Sequence, residues 1–218
     1  GRSGLKFHYV HNSGDDTRVD PSKSNIIDIS VLTVSYDAAF RSWLSGNTTS
    51  MPLPPTSESL SQNYQSKLEP IKAISDEIIF HPVKYKVLFG EQASPNLQAV
   101  FKAVRNPTQI TTDNDIKSRI LAAIGEFFAL ENWEFGQSFY FSELSTYVMN
   151  NLTPDITNFV IVPKLSNGFG SLYQLSCLPD ELFVSGTSIS DIEVIDSITA
   201  AQLNASGIIT TSGTWNGK

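Results

Sequence analysis

Thr112-Asp113-Asn114-Asp115-Ile116-Lys117-Ser118-Arg119-Ile120-Leu121-Ala122-Ala123-Ile124 opens the segment from Thr112 to Ala129 on which the reading of the fold turns. Thr112 and Asp115 stand at capping spacing, and Asp113 and Asp115 fall where a helix dipole is positive. Ile116, Ile120, Ala123, Ile124 and Phe127 recur as one apolar stripe, so the segment is a helix with one buried face, central to the core. Full burial of a large side chain stabilises a fold by about 1.5 to 3 kcal/mol, and Ile120→Ala or Phe127→Ala is therefore expected to cost about 2 to 5 kcal/mol. Gly125 inside this helix costs about 1 kcal/mol relative to Ala; it either admits another backbone or is simply tolerated.

Toward the C-terminus, a loop through Gly136 leads to Ser142, expected to cap a second helix bearing Leu144, Tyr147, Val148 and Leu152, and Pro154 prevents its continuation. Ile156 to Pro163 has strand character, and shorter strands are expected near Leu172 to Cys177, Leu182 to Val184 and Ile189 to Ile195. Thr199 and Gln202 form a capping box for a short helix stopped by Gly207.

Toward the N-terminus, Val83, Tyr85, Val87 and Phe89 alternate with Lys84 and Lys86, a strand that Pro82 confines to an edge or a strand start. Residues 97 to 105 are expected to return as the second arm of a hairpin turning at Gly90 to Asn96, with a helix as the competing reading. Leu60, Tyr64, Leu68 and Ile71 mark a helix from Ser57 that Pro70 is expected to end near Glu69. Met51-Pro52-Leu53-Pro54-Pro55 is an extended crossing, because its prolines lack donors. Ile27, Ile29 and Val31 alternate with Asp28 and Ser30 in a strand after Ser24, and Asp37 is expected to cap a short helix presenting Phe40, Trp43 and Leu44, stopped at Gly46-Asn47. Residues 1–23 show no period over a useful length and are expected to form a flexible leader.

Together these elements predict an α+β fold: a small mixed or antiparallel sheet packed with two main helices, plus an N-terminal strand-helix part. The expected divisions are 1–23, a leader; 24–75, the strand-helix unit, proline-rich crossing and helix; 76–197, an α+β domain; and 198–218, a short helix and extended tail.

Of 218 residues, 40% are hydrophobic and 11% aromatic, the composition of a folded protein with a real core. A single cysteine, Cys177, cannot form an intramolecular disulfide, and no secretory signal opens the sequence, consistent with synthesis in a reducing cytoplasm. Because it begins Gly1-Arg2-Ser3-Gly4, the chain is expected to be a piece or processed form of something longer. No apolar run is long enough to span a membrane. Residues 110–218 carry 4 Lys and Arg against 12 Asp and Glu, which disfavours nucleic acid there and suits either solubility or a basic protein partner.

Chemistry-bearing motifs are weak. His8 and His11 with Asp15, Asp16 and Asp20 lack an ordered scaffold for a metal, and His81 beside Pro82 fits a structural role. Cys177 has no activating motif, and no nucleophile elbow or phosphate loop occurs. Gly168-Phe169-Gly170-Ser171 fits a turn, and Glu131 and Glu134 flank Trp133 without evident desolvation. No catalytic, cofactor-binding or metal residues are assigned. What stands out is the aromatic density from Phe127 to Tyr147. Consecutive Phe139, Tyr140 and Phe141 cannot all face one core if extended, so either a second layer covers them or some belong to a subunit interface. Trp133, Phe135, Phe139, Tyr140 and Phe141 are the candidate interface residues.

The run Thr112 to Ile124, followed by Phe135-Gly136-Gln137-Ser138-Phe139-Tyr140-Phe141-Ser142-Glu143-Leu144 and the strand Ile156 to Pro163, resembles the C-terminal part of the baseplate-J family, in which a capped helix, a Gly-containing loop, a Ser-x-Leu helix start and a strand follow in that order. The likeness spans roughly residues 76 to 197. The long N-terminal part and the Ser-Gly-rich tail are similar to the baseplate wedge protein of T4-like contractile-tailed phages. The resemblance implies a virion structural protein, assembled in the host cytoplasm, without catalytic residues or cofactors. It further implies packing with itself, as a dimer or ring neighbour around a central hub, and with other baseplate wedge proteins, which would couple baseplate rearrangement to sheath contraction. A receptor- or glycan-binding module of a tail tip is the alternative.

Overall fold

In chain order the elements are β1 (Leu5–Val10), β2 (Ile26–Thr33), α1 (Val34–Leu44), α2 (Ser57–Lys72), β3 (Glu77–Pro82), β4 (Lys84–Leu88), β5 (Ala99–Arg105), α3 (Asp113–Phe127), β6 (Phe139–Tyr140), α4 (Phe141–Leu152), β7 (Ile156–Pro163), β8 (Gln174–Leu175), β9 (Glu181–Ser185) and β10 (Ile192–Ile195). This computed structural model describes residues 5–10, 26–72, 77–166, 168–170 and 174–199. The fold is α+β, with four helices and several small sheets among the described residues. Two compact units divide the chain. One runs to Lys86 and includes Trp133–Gln137 and Ser176–Leu182; the other holds Val87–Asn132, Ser138–Leu175 and the residues from Phe183 onward.

In the first unit β2 lies between β1 and β3, antiparallel to β1 and parallel to β3. Parallel neighbours need a long connection, which α1, the proline-rich segment and α2 provide. Ile29 and Val31 of β2, Phe80 of β3 and Leu60 of α2 close a small core, with Tyr64 and Ile78 packed against it. Pro82 is the last residue of β3, an edge strand, as its missing donor requires. Phe40 of α1 packs against Tyr85 of β4 and Trp43, with ring centroids 4.8 and 5.2 Å apart.

Three local expectations are corrected here. Leu5–Val10 is a strand and not part of a flexible leader; the alternation of Leu5, Phe7 and Tyr9 with Lys6 and His8 is short, and six residues suffice when a neighbouring strand supplies the partner. Residues 11–25 lie outside the described residues. The cap of α1 is Thr33, whose hydroxyl accepts from the Tyr36 N–H at 3.3 Å, because β2 runs straight into the helix; Asp37 sits in the first turn and accepts from Arg41 Nε at 2.8 Å and from the Tyr85 hydroxyl. Finally, α2 continues through Pro70 to Lys72 and does not stop at Glu69; so near the helix end the proline forfeits a single ladder hydrogen bond, which does not terminate the turn. Gly46 is left-handed at φ 76° and ends α1 as expected.

The second unit is built on the sheet β10-β5-β7, in which β5 runs parallel to β10 and antiparallel to β7. Ala99, Phe101 and Ala103 alternate as the buried face of β5, and Phe101 stacks on Phe159 of β7 at 5.7 Å. Helix α3 packs against α4 and β10, and α4 also packs against β7. Thr112 caps α3 as expected, its hydroxyl accepting from the Asp115 N–H at 3.3 Å. Ile116, Ile120, Ala123 and Ile124 are buried, and Gly125 faces open space, so that glycine is tolerated and admits no close neighbour.

Two further corrections belong to this unit. Residues 99–105 do form a strand, yet β5 makes no hairpin with β4, which pairs instead with β9. Phe89 and Gly90, at φ 63° and 68°, turn the chain out of the ladder, and a Cβ on Gly90 would lie 1.8 Å from the Gly186 carbonyl oxygen. In α4 the residue before the first turn is Tyr140, which makes no side-chain cap; Ser142 lies inside that turn because β6 leads directly into the helix. Strand β7 spans the expected residues, β8 and β9 fall in expected segments, and Ile189–Asp191 is a single turn of 3-10 helix before β10. The short helix expected after Thr199 lies outside the described residues.

Ile120 is fully buried, whereas Phe127 is only partly so. Ile120→Ala should therefore cost about 3 to 5 kcal/mol in urea unfolding and Phe127→Ala about 2 kcal/mol or less, although phenylalanine is the larger residue. Equal losses would contradict this placement of α3.

Candidate assembly surface

The five aromatic residues singled out from the sequence do not form one surface. Trp133, Phe135 and Phe139 are 3%, 4% and 0% exposed, Tyr140 is 39% exposed, and Phe141 is half-buried. For the three buried residues an interface role is corrected: they are core. The physical reason for Phe139 is a second layer of rings. Phe139 lies 4.9 Å from Phe141, 5.5 Å from Phe128 and 6.0 Å from Phe89, and Phe141 in turn meets Phe169 at 5.0 Å. Neighbouring residues at the strand-to-helix junction thus reach one cluster, because the strand turns into a helix between them and ends the two-sided alternation.

Of the five, Tyr140 is the exposed one, and a shallow groove opens where the end of α3 meets the outer face of α4. Phe127, Ser142, Glu143, Thr146, Tyr147 and Asn150 line it, around a volume of about 350 Å³. The Phe127 and Tyr147 rings form its aromatic side, with centroids 5.6 Å apart. Burial and a hydrogen bond to Glu126 raise the Tyr147 phenol above its ordinary pKa. The sequence signal for this site was the polar, exposed face of the second helix. It was overshadowed by the denser run of aromatics before it.

Within each unit, ionisable groups serve the fold. Arg119 of α3 donates to Asp155 at 2.6 Å and to the Asn151 carbonyl at 3.4 Å, and Thr111 donates to the same carboxylate, tying the start of α3 to the turn between α4 and β7. Asp191 is 2% exposed; burial would raise its pKa, but the Ser188 N–H at 2.9 Å and Lys164 at 2.9 Å outweigh that and hold it below the ordinary value. Burial and the Glu181 charge push the Cys177 thiol up to about 11, leaving little thiolate at neutral pH. Glu131 and Glu134 are exposed, and His81 meets Asp28 at 2.7 Å. Among the described residues no group of His, Cys, Asp and Glu could hold a metal ion, and no helix is long and apolar enough to cross a membrane. His11, Asp15, Asp16 and Asp20 lie outside those residues.

The chain matches no protein-family model and no curated protein.

The Thr111 and Arg119 contacts hold Asp155 below the ordinary carboxylate range. A depressed carboxylate contributes stability that is present above its unfolded pKa and is lost as pH falls through the folded one. Urea midpoints measured from neutral pH down through the carboxylate range should therefore fall less steeply for Asp155→Asn than for the parent chain. Parallel curves would show that the pair contributes nothing.

Proposed function

We propose that this chain is a non-enzymatic structural component of a contractile phage tail baseplate. As a wedge protein of the baseplate-J type, it binds copies of itself and other wedge proteins around the hub and helps couple baseplate rearrangement to sheath contraction. The observation that carries the reading is the succession of a Thr112-capped helix, a loop through Gly136, a second helix and the strand Ile156–Pro163, in the order of the family pattern. The aromatic groove on α3 and α4, with exposed Tyr140 at the start of α4, supplies a surface of the kind that protein partners cover. Asp155 and Asp191 are engaged by cations and hydroxyls that join elements, which suits a rigid assembly part.

A second reading, glycan binding at a tail tip, draws on the same groove, since it combines aromatic faces with hydroxyl and amide groups able to bond a sugar. A glycan array separates the two.

Light scattering over a concentration series, alone and with other wedge proteins, should show association. Tyr140→Ala should weaken it roughly tenfold with little change in thermal unfolding. A strict monomer at every concentration that joins no wedge protein contradicts the assembly reading.

A further inference from the structure

We infer that the groove between α3 and α4 seats an arginine side chain presented by a basic segment of a partner protein. The inference rests on the assembly reading and specifies the chemistry of the partner.

The groove has an aromatic side and a negative border. Phe127 and Tyr147 both line the groove, their rings 5.6 Å apart and tilted by 59°, so a cation entering it meets aromatic surface. Glu143 is exposed on the rim, and Glu126, also exposed, holds the Tyr147 phenol. Among the described residues, neither carboxylate has a Lys, Arg or His within ion-pair distance. Asp113, Asp115, Asp155, Asp191, Glu193 and Asp196 in the same unit all do. Two uncompensated charges thus border the two accessible rings. They sit in the half of the chain, residues 110–218, that carries 4 basic against 12 acidic residues.

A cation over an aromatic face is attracted by the ring quadrupole, and a carboxylate beside the ring adds a direct Coulomb attraction. The first turn of α4 would by itself repel a cation; Glu143, inside that turn, reverses the local sign. Arginine fits better than lysine. Its planar fork carries five donors, and the rim offers the Glu143 carboxylate, the Ser142 and Thr146 hydroxyls and the Asn150 amide oxygen as acceptors, while its flat face can lie on a ring.

The test is a nuclear magnetic resonance titration of the full chain with a synthetic peptide, Gly-Leu-Arg-Arg-Leu-Gly, and its citrulline twin, which has nearly the same shape without the charge. The arginine peptide should shift Phe127 and residues 142–150. Its Kd should rise roughly tenfold for the citrulline twin, for the E126Q/E143Q double variant, and on raising salt from about 0.05 to about 0.5 M. Both glutamates are exposed, and a glutamine amide oxygen can still accept from the Tyr147 phenol, so the double variant should unfold at the parent temperature. Equal binding of the two peptides, or shifts confined to other surfaces, overturns the inference. If the double variant still joins wedge proteins as the parent does, the assembly reading stands and the arginine seat fails. If the peptide seats in the groove while the chain joins no wedge protein, the seat stands and the assembly reading fails.

Discussion

Edge-on and tilted ring packing around Phe139 is the contact on which the second unit depends. Its ring meets Phe128 at the end of α3, Phe141 at the start of α4, Phe89 after β4 and Phe183 in β9, all with centroids 4.9 to 6.2 Å apart. Aromatic rings prefer such offset and edge arrangements, and each adds about 0.5 to 1.5 kcal/mol beyond the area it buries. The end of β4, the α3–α4 connection and β9 are thereby held at one point. Because α3 ends and α4 begins at this cluster, the outer sides of both helices are left where they meet, and the groove between them follows.

Polar contacts at the other end of the helices complement the rings. Arg119, Thr111 and Asp155 join the start of α3 to the connection between α4 and β7, and Lys164 with Asp191 joins the end of β7 to the turn before β10. A helix pair fastened by rings at one end and by the Arg119–Asp155 ion pair at the other would meet the proposed partner with little ordering entropy to lose. That rigidity is the link between the packing and the proposed assembly role.

Much of this was legible in the sequence where one local signal sufficed. The stripe of α3, the Thr112 cap, the strand Ile156–Pro163 and the stop at Gly46 each follow from spacing within one element. The rest depended on partners that a local pattern does not name. Residues 99–105 had the composition of a strand, but their neighbours, β10 and β7, are set by the turn at Phe89-Gly90 and not by proximity in the chain. Leu5–Val10 alternates for only six residues and is a strand by virtue of β2. The aromatic run was visible, yet which rings lie inside was not, since the junction of β6 with α4 lets Phe139 and Phe141 reach the same cluster. The accessible groove thus lies a few residues further along the chain than the aromatic run. Only Tyr140 and, in part, Phe141 of the expected set remain accessible.

The rings of Trp133, Phe135 and Phe139 are buried and build the chain itself, and the central proposal is that Tyr140 and Tyr147 face a partner. Hydroxyl-radical footprinting reads side-chain access directly. In the isolated chain the account predicts slow labelling of the first three residues, fast labelling of Tyr140 and intermediate labelling of the half-buried Tyr147, with both tyrosines protected when baseplate wedge proteins, the proposed partners, are added. Fast labelling of Trp133 or Phe139 in the isolated chain, with both tyrosines unchanged in the mixture, would contradict it.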